Sequence, residues 1–391
     1  MALTTPRTLG GRSAAAIRHI DLVSLGAVAA LVIMGLLAVF TATVDPDNPG
    51  RGILQAPSEL FNRQLVFCVI GAVTLIVAIA FDYRIFKVYA GVMYIVTVLL
   101  LLVVLTPLAE NVKGSQRWIS LGVLKLQPSE LAKPVLICML AAYISERRGF
   151  LELRDVFRCI GLTAPLALLV FLQPDFGTML VLAFILLVML VIGGADWRQL
   201  LVIFAIGVIG VFGLFKLGIV HDYQAARLKA FLDPDADPTS TGYNYRLTRQ
   251  AIGNGGLTGT GILPERDVLS LTTNLEFVPE RHTDFVFTVI AEQMGFLGGA
   301  TILLLYGVLF VRGLRGAGQA RDLFGTVLAT GIVGYLTFQV FVNIGMTVGL
   351  VPITGIPLPF VSYGGSSLVS SALSLGILLS VQMRRFARPI G

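Results

Sequence analysis

Ten stretches of this 391-residue chain are long and apolar enough to cross a bilayer, near residues 22–43, 64–81, 86–106, 129–145, 157–173, 176–194, 199–218, 284–311, 323–348 and 363–383. Each approaches the roughly 20 apolar residues that a helix needs to span the hydrocarbon. The pattern predicts an all-α polytopic membrane protein of about ten transmembrane helices, with one large connection, 219–283, before the eighth. That connection carries turn chemistry at Asp233-Pro234-Asp235-Ala236-Asp237-Pro238 and is rich in glycine between Gly242 and Gly261. A loop of this length with little regular structure is functional or disordered, and its Gly-Asn-Gly-Gly unit beside Tyr243 and Tyr245 predicts a folded re-entrant or interfacial segment. Residues 114–127 alternate in part between polar and apolar, predicting a short hairpin at the membrane surface with Trp118 at the interface. Residues 349–364 hold Pro352, Pro357 and Pro359 and no charge. Non-helical backbone of that kind is expected to dip into the protein, where other groups satisfy it.

With 55% hydrophobic and 13% charged residues, the chain is too apolar for a soluble domain. We read it as one membrane domain over 1–391, with tails 1–20 and 384–391. The first apolar run follows Arg7, Arg12 and Arg18 but exceeds a secretory h-region, and nine further spans follow, so it is read as a retained helix. Lys and Arg concentrate in the N-terminal tail, in 82–87, 146–158 and 312–322, at Arg198, and at Arg384, Arg385 and Arg388. The positive-inside rule then places both termini in the cytoplasm and 219–283 outside. The net charge of +6 reads as topology and attraction to anionic lipid headgroups. No basic and aromatic surface for nucleic acid is apparent. Cys68, Cys138 and Cys159 are odd in number, lie in or beside apolar segments and lack ligand spacing, which argues against a disulfide or metal cluster.

Candidate chemistry begins at Pro279-Glu280-Arg281-His282-Thr283-Asp284, where four ionisable residues abut the apolar run from Phe285 to Phe310. An ionised group beside hydrocarbon is costly unless it is solvated, paired or used. Asp284 reads either as an acid at a helix N-terminus or as a functional carboxylate. Glu292, eight residues on, shares its helix face about 12 Å deeper, with Thr288 between them, and is expected to pair within the bundle or line a polar cavity. Gln127-Pro128-Ser129-Glu130-Leu131-Ala132-Lys133-Pro134 opens the fourth span, with Ser129 a capping candidate. Glu130 and Lys133 stand at i,i+3, either as a local ion pair or as a cation aimed at phosphate. Gln173-Pro174-Asp175 makes a tight turn in which Asp175 is a turn former or a site residue. Arg117, Lys133, Asp175, Glu280, His282 and Asp284 all fall on one membrane face and form one site only if their loops fold over a shared cavity.

Seven stretches, in order, resemble the SEDS family of peptidoglycan glycosyltransferases, which includes RodA and FtsW. They are Gly114-Ser-Gln-Arg-Trp-Ile, Gln127-Pro-Ser-Glu130, Gln173-Pro-Asp-Phe-Gly-Thr178, Asp222-Tyr-Gln with Phe231-Leu-Asp-Pro234, Ala251-Ile-Gly-Asn-Gly-Gly256, Val278-Pro-Glu-Arg-His-Thr-Asp-Phe285 and Pro357-Leu-Pro-Phe-Val-Ser-Tyr-Gly-Gly-Ser366. Gly242-Tyr-Asn-Tyr-Arg and Asn343-Ile-Gly-Met346 resemble the RodA, or elongation, branch. The resemblance implies a bacterial plasma-membrane enzyme that polymerises undecaprenyl-linked Lipid II on the outer face, with Asp284 at the position of the family's catalytic carboxylate. An α-linked donor giving a β-linked product implies inversion in one displacement, with Asp284 as general base. Lys133, Arg117 or a divalent cation, Mg²⁺ or Mn²⁺, is expected to stabilise the diphosphate leaving group, with no organic cofactor. Glu130, Asp175, Glu280, His282, Ser362 and Ser366 are assigned to the same cavity, and a class B penicillin-binding protein is the implied partner. A Lipid II flippase and a non-catalytic scaffold are the competing readings, and a carboxylate at the outer mouth, away from the midplane, favours the enzyme.

Overall fold

The computed structural model describes residues 20–43, 58–107, 109–112, 115–121, 124–147, 151–216, 222–233, 241–261 and 282–386. All ten predicted spans are helical. They are α1 (Leu22–Ala42), α2 (Glu59–Ala80), the pair α3 (Arg84–Val88) and α4 (Ala90–Val104), α5 (Pro128–Glu146), α6 (Leu153–Leu172), α7 (Phe176–Ile192), α8 (Trp197–Lys216), and three last spans after two connecting helices. The connecting helices are α9 (Asp222–Leu232) and α10 (Thr241–Asn254), and the last spans are α11 (Val286–Gly318), α12 (Leu323–Val348) and α13 (Gly365–Met383). Large apolar side chains such as Val69, Ile95, Ile209 and Leu304 remain exposed, as expected where lipid is the solvent.

The centre of the bundle is α5, which packs against α4, α6, α7, α12 and α13. It is less apolar than its neighbours yet more enclosed, with Glu130 3% and Lys133 1% exposed. Pro128 occupies its first turn, where a missing N–H is harmless. Gln127 is the N-cap and the Ser129 hydroxyl is directed elsewhere, so the expected serine cap does not form. Helices α2 and α13 approach closely because Gly376 leaves no side chain against Ala78 and the Leu75 carbonyl.

The surface segment before α5 is a three-stranded antiparallel meander, β1 (Glu110–Val112), β2 (Ser115–Leu121) and β3 (Leu124–Leu126), rather than a single hairpin. Its register pairs Glu110 with Trp118 and Ile119 with Leu126. The uncharged 349–364 segment does enter the protein, with Ile356, Leu358, Phe360 and Val361 buried. The Val361 backbone lies against Gly35 of α1, where even a methyl group would collide.

Helix α11 is broken. Gly295 adopts φ 62° and ψ −160° inside it, and the turn that follows α10 fills the break. Thr260 and Gly261 donate backbone N–H groups to the Glu292 and Gln293 carbonyls at 2.9 and 3.1 Å. Phe296 and Leu297 donate to Gly256 and Leu257 at 2.9 and 3.2 Å. The glycine-rich part of the long connection is thus folded against a span, and its backbone satisfies the groups that the break frees.

Candidate active site

Asp284 stands just outside α11. Phe285 is the N-cap, and both Thr288 and Val289 donate to the Phe285 carbonyl, so the helical ladder begins one residue after Asp284. Asp284 is therefore neither the N-cap nor in the first turn, and stands one residue before the cap, still at the helix N-terminus. Three consecutive carbonyls lead up to the helix, and each accepts a hydrogen bond from another part of the chain. The Tyr363 N–H reaches the His282 carbonyl at 2.9 Å, the Ser362 hydroxyl reaches that of Thr283 at 2.6 Å, and the Asn343 amide reaches that of Asp284 at 2.9 Å. His282 also meets the Tyr363 ring edge-on at 5.5 Å. Ser362 accepts from the Leu358 N–H at 2.8 Å, so its hydroxyl is spent on joining loops.

The Asp284 carboxylate faces Gly355. A Cβ at Gly355 would lie 3.3 Å from Asp284 Oδ2 and 4.0 Å from Arg227 Nη1, so one methyl-sized space touches both groups. Gly355 has φ +73° and is suited to glycine on conformational grounds as well. Arg227 sits on α9 and donates to the Ile353 carbonyl at 3.3 Å. On α10, Tyr245 donates to the Val351 carbonyl at 3.1 Å, and burial pushes its phenol up to about 12, so it remains a neutral donor. Two helices of the long connection thereby hold the 349–364 segment over Asp284.

A second cluster gathers around Asp175, the N-cap of α7, which accepts from the Thr178 N–H at 3.2 Å. Its other oxygen accepts from Gln127 Nε2 and Ser129 Oγ, both at 3.2 Å. Arg117 of β2 donates to the Gln173 and Pro174 carbonyls and lies 3.9 Å from Asp175 Oδ1. Its guanidinium therefore braces the turn. Below this cluster the Glu130–Lys133 ion pair forms at 2.7 Å, with both side chains buried. Ser366 accepts from the Gln127 N–H at 2.9 Å and donates to the Lys125 carbonyl at 2.8 Å, tying β3 to the start of α13.

The two clusters share walls. Gly177 of α7 packs against the Thr354 carbonyl and Ile356, directly beside Gly355. Of the residues assigned from sequence, Asp175, His282, Asp284, Ser362 and Ser366 are linked through these contacts. Glu130 and Lys133 lie deeper, and Glu280 is outside the described residues. Glu292 is 2% exposed, and neither of its carboxylate oxygens has a hydrogen-bond partner among the described residues, so of its two readings pairing within the bundle finds no partner there. Arg227, Asn343 and Gly355 were not among the sequence candidates.

Residues 22–386 match the family described as Cell cycle protein, FTSW_RODA_SPOVE. The chain belongs to the FtsW/RodA/SpoVE family. Among relatives, it is 36% identical over 365 residues to the peptidoglycan glycosyltransferase MrdB of Escherichia coli K12, covering 93% of this chain and 95% of that one. It is 36% identical to the stage V sporulation protein E of Bacillus subtilis 168, over 84% of this chain and 87% of that one. Among solved structures, the rod shape determining protein RodA of Thermus thermophilus aligns with a TM-score of 0.68 at 31% identity, over 94% of this chain and 98% of that one. A chain from a peptidoglycan synthase complex, described as coordinating polymerization and crosslinking, aligns with a TM-score of 0.76 at 32% identity over 94% and 99%. Like these FtsW/RodA relatives, the chain is a multi-pass membrane protein.

Proposed function

We propose that this chain is a peptidoglycan glycosyltransferase that polymerises Lipid II, with Asp284 as its general base. The observation that carries the assignment is the presentation of Asp284: a carboxylate outside its helix, half-buried, facing a glycine-walled space beside Arg227. In the transfer, the acceptor sugar's 4-hydroxyl gives its proton to Asp284 as its oxygen attacks the donor's anomeric carbon. The bond from that carbon to the lipid diphosphate breaks, and the α-linked donor becomes a β-linked product by inversion. No covalent enzyme intermediate is required. Arg227 brings positive charge to the space beside the base, while Arg117 and Asp175 keep the adjoining turn in place.

A buried ion pair neutralises Lys133 and lets it reside inside the bundle, so any role at the diphosphate requires it to share its ammonium with Glu130. Among the described residues no group of three His, Cys, Asp or Glu is placed to hold a metal ion. The described residues alone thus offer no all-protein cage for Mg²⁺ or Mn²⁺. We place both termini in the cytoplasm and the site on the opposite, extracytoplasmic face of the bacterial plasma membrane. The position of basic residues supports this orientation. A class B penicillin-binding protein is the proposed partner and elongation the proposed process, supported by the likeness to RodA and to a chain of a synthase complex.

The test is reconstitution of the chain with its cognate partner in liposomes containing Lipid II. Glycan strands resolved on a gel support the assignment. Movement of labelled Lipid II between leaflets without polymer would overturn it in favour of the flippase reading, and neither activity from folded protein would leave the scaffold.

A further inference from the structure

We propose that Asn343 is a positioning residue for Asp284, its side-chain amide fixing the backbone from which the carboxylate projects against the wall that faces it. The proposal rests on the general-base reading and deepens it. A side-chain amide has two N–H donors, and Asn343 spends both on carbonyls from separate segments: Asp284 at 2.9 Å and Ile356 at 2.7 Å. Ile356 follows Gly355, the residue opposite Asp284 Oδ2. One planar group therefore sets the spacing between the base and its facing wall.

Two observations separate this role from ordinary packing. First, the helical ladder starts at Phe285, so no intrahelical bond holds the Asp284 carbonyl. Asn343 supplies what a further turn of helix would otherwise supply. Second, Asn343 is fully buried, and its Oδ1 has no partner among the described residues. An unsatisfied buried acceptor is destabilising, so an amide is a poor choice for filling an apolar helix contact. Its two donors account for its presence. Ser362 and the Tyr363 N–H hold the two preceding carbonyls, so loss of Asn343 frees the peptide at Asp284 itself while the approach to it remains tethered.

The test compares Asn343→Ala and Asn343→Ser with wild type and with Asp284→Asn, each reconstituted with the cognate partner. Donor-binding stoichiometry gives the fraction of folded sites, and kcat and KM for Lipid II are expressed per site. A misplacement of roughly 1 Å at a reacting group costs roughly 10²-fold in rate. Asn343→Ala is expected to lose that much kcat with KM within about twofold, and Asn343→Ser, which retains one donor, to lose less. If Asn343→Ala fails to fold, Asn343→Ser carries the same comparison. A kcat per site within about threefold of wild type, or a rise in KM at unchanged kcat, overturns the positioning role. Wild-type turnover by Asp284→Asn would instead remove the base reading, whatever the Asn343 variants do, whereas an inactive Asp284→Asn beside a fully active Asn343→Ala removes only this proposal.

Discussion

Two glycines at the end of α10, two residues apart, are expected to respond to the same substitution with opposite signs. At Gly253 an added Cβ meets nothing within 4 Å, so Gly253→Ala gains helix propensity and restricts the unfolded chain, a stabilisation of about 0.5–1 kcal/mol. At Gly255 the same methyl would lie 2.0 Å from the Ala291 carbonyl oxygen and 3.1 Å from Glu292 Cα. Both obstacles are backbone and cannot rotate aside. Restoring an ordinary carbon-to-oxygen separation of roughly 3.3 Å requires the turn to retreat by roughly 1 Å. The four hydrogen bonds that the turn makes across the Gly295 break measure 2.9 to 3.2 Å, so that retreat stretches most of them past the useful range. Overpacking costs about 1–3 kcal/mol, and each of the three or four weakened bonds adds about 1 kcal/mol, giving a total on the order of 4–7 kcal/mol. Thermal unfolding in detergent reads both substitutions, and amide exchange at Phe296 and Leu297 reads the break directly. Faster exchange at those two amides with a lowered unfolding temperature is expected for Gly255→Ala alone. Equal stability of the two variants would refute the docking of the turn into α11.

The central ion pair should behave as a unit. Lys133→Met alone leaves Glu130 buried without its counterion and is expected to cost about 3–5 kcal/mol, while Lys133→Met with Glu130→Gln recovers much of that in the same unfolding assay; an additive loss would contradict the pairing. At the foot of α1, burial pushes the Asp21 carboxyl up, but hydrogen bonds from Arg312 and Ser24, together with the Arg312 charge, outweigh it and hold the group below its ordinary value. A depressed carboxylate contributes stability above its unfolded value of about 3.9 and loses it as pH falls through the folded value. The gap in unfolding temperature between wild type and Asp21→Asn is therefore expected to be full near pH 7 and to close below about pH 4. A gap that persists in acid would contradict that linkage.

The spans were legible because each is about 20 residues of apolar sequence, and the entry of 349–364 into the protein because a proline-rich segment without charge has no reason to stay in water. Asp284 and the Glu130–Lys133 pair stood out for the same reason: charge beside hydrocarbon demands an explanation. What sequence concealed depends on contacts between distant segments. Arg227 is one of several basic residues in a long connection until the fold brings it beside Gly355 and Asp284. Asn343 enters the sequence reading only within a branch motif, and its contacts with Asp284 and Ile356 appear only in the fold. Gly295 stands unremarked within an apolar run, and only its positive φ and the docked turn reveal a broken helix. Arg117, one of three groups offered for the diphosphate, donates to backbone carbonyls, and such contacts have no sequence signature.

The most direct test of the account is the rate of glycan polymerisation per folded site for Asp284→Asn against wild type, both reconstituted with the cognate partner and saturated with Lipid II. Asparagine keeps the shape of the side chain and removes the base. The account predicts strand formation by wild type and a loss of roughly 10²–10⁴-fold in kcat for Asp284→Asn at unchanged donor binding. Equal polymerisation by the two proteins would contradict it.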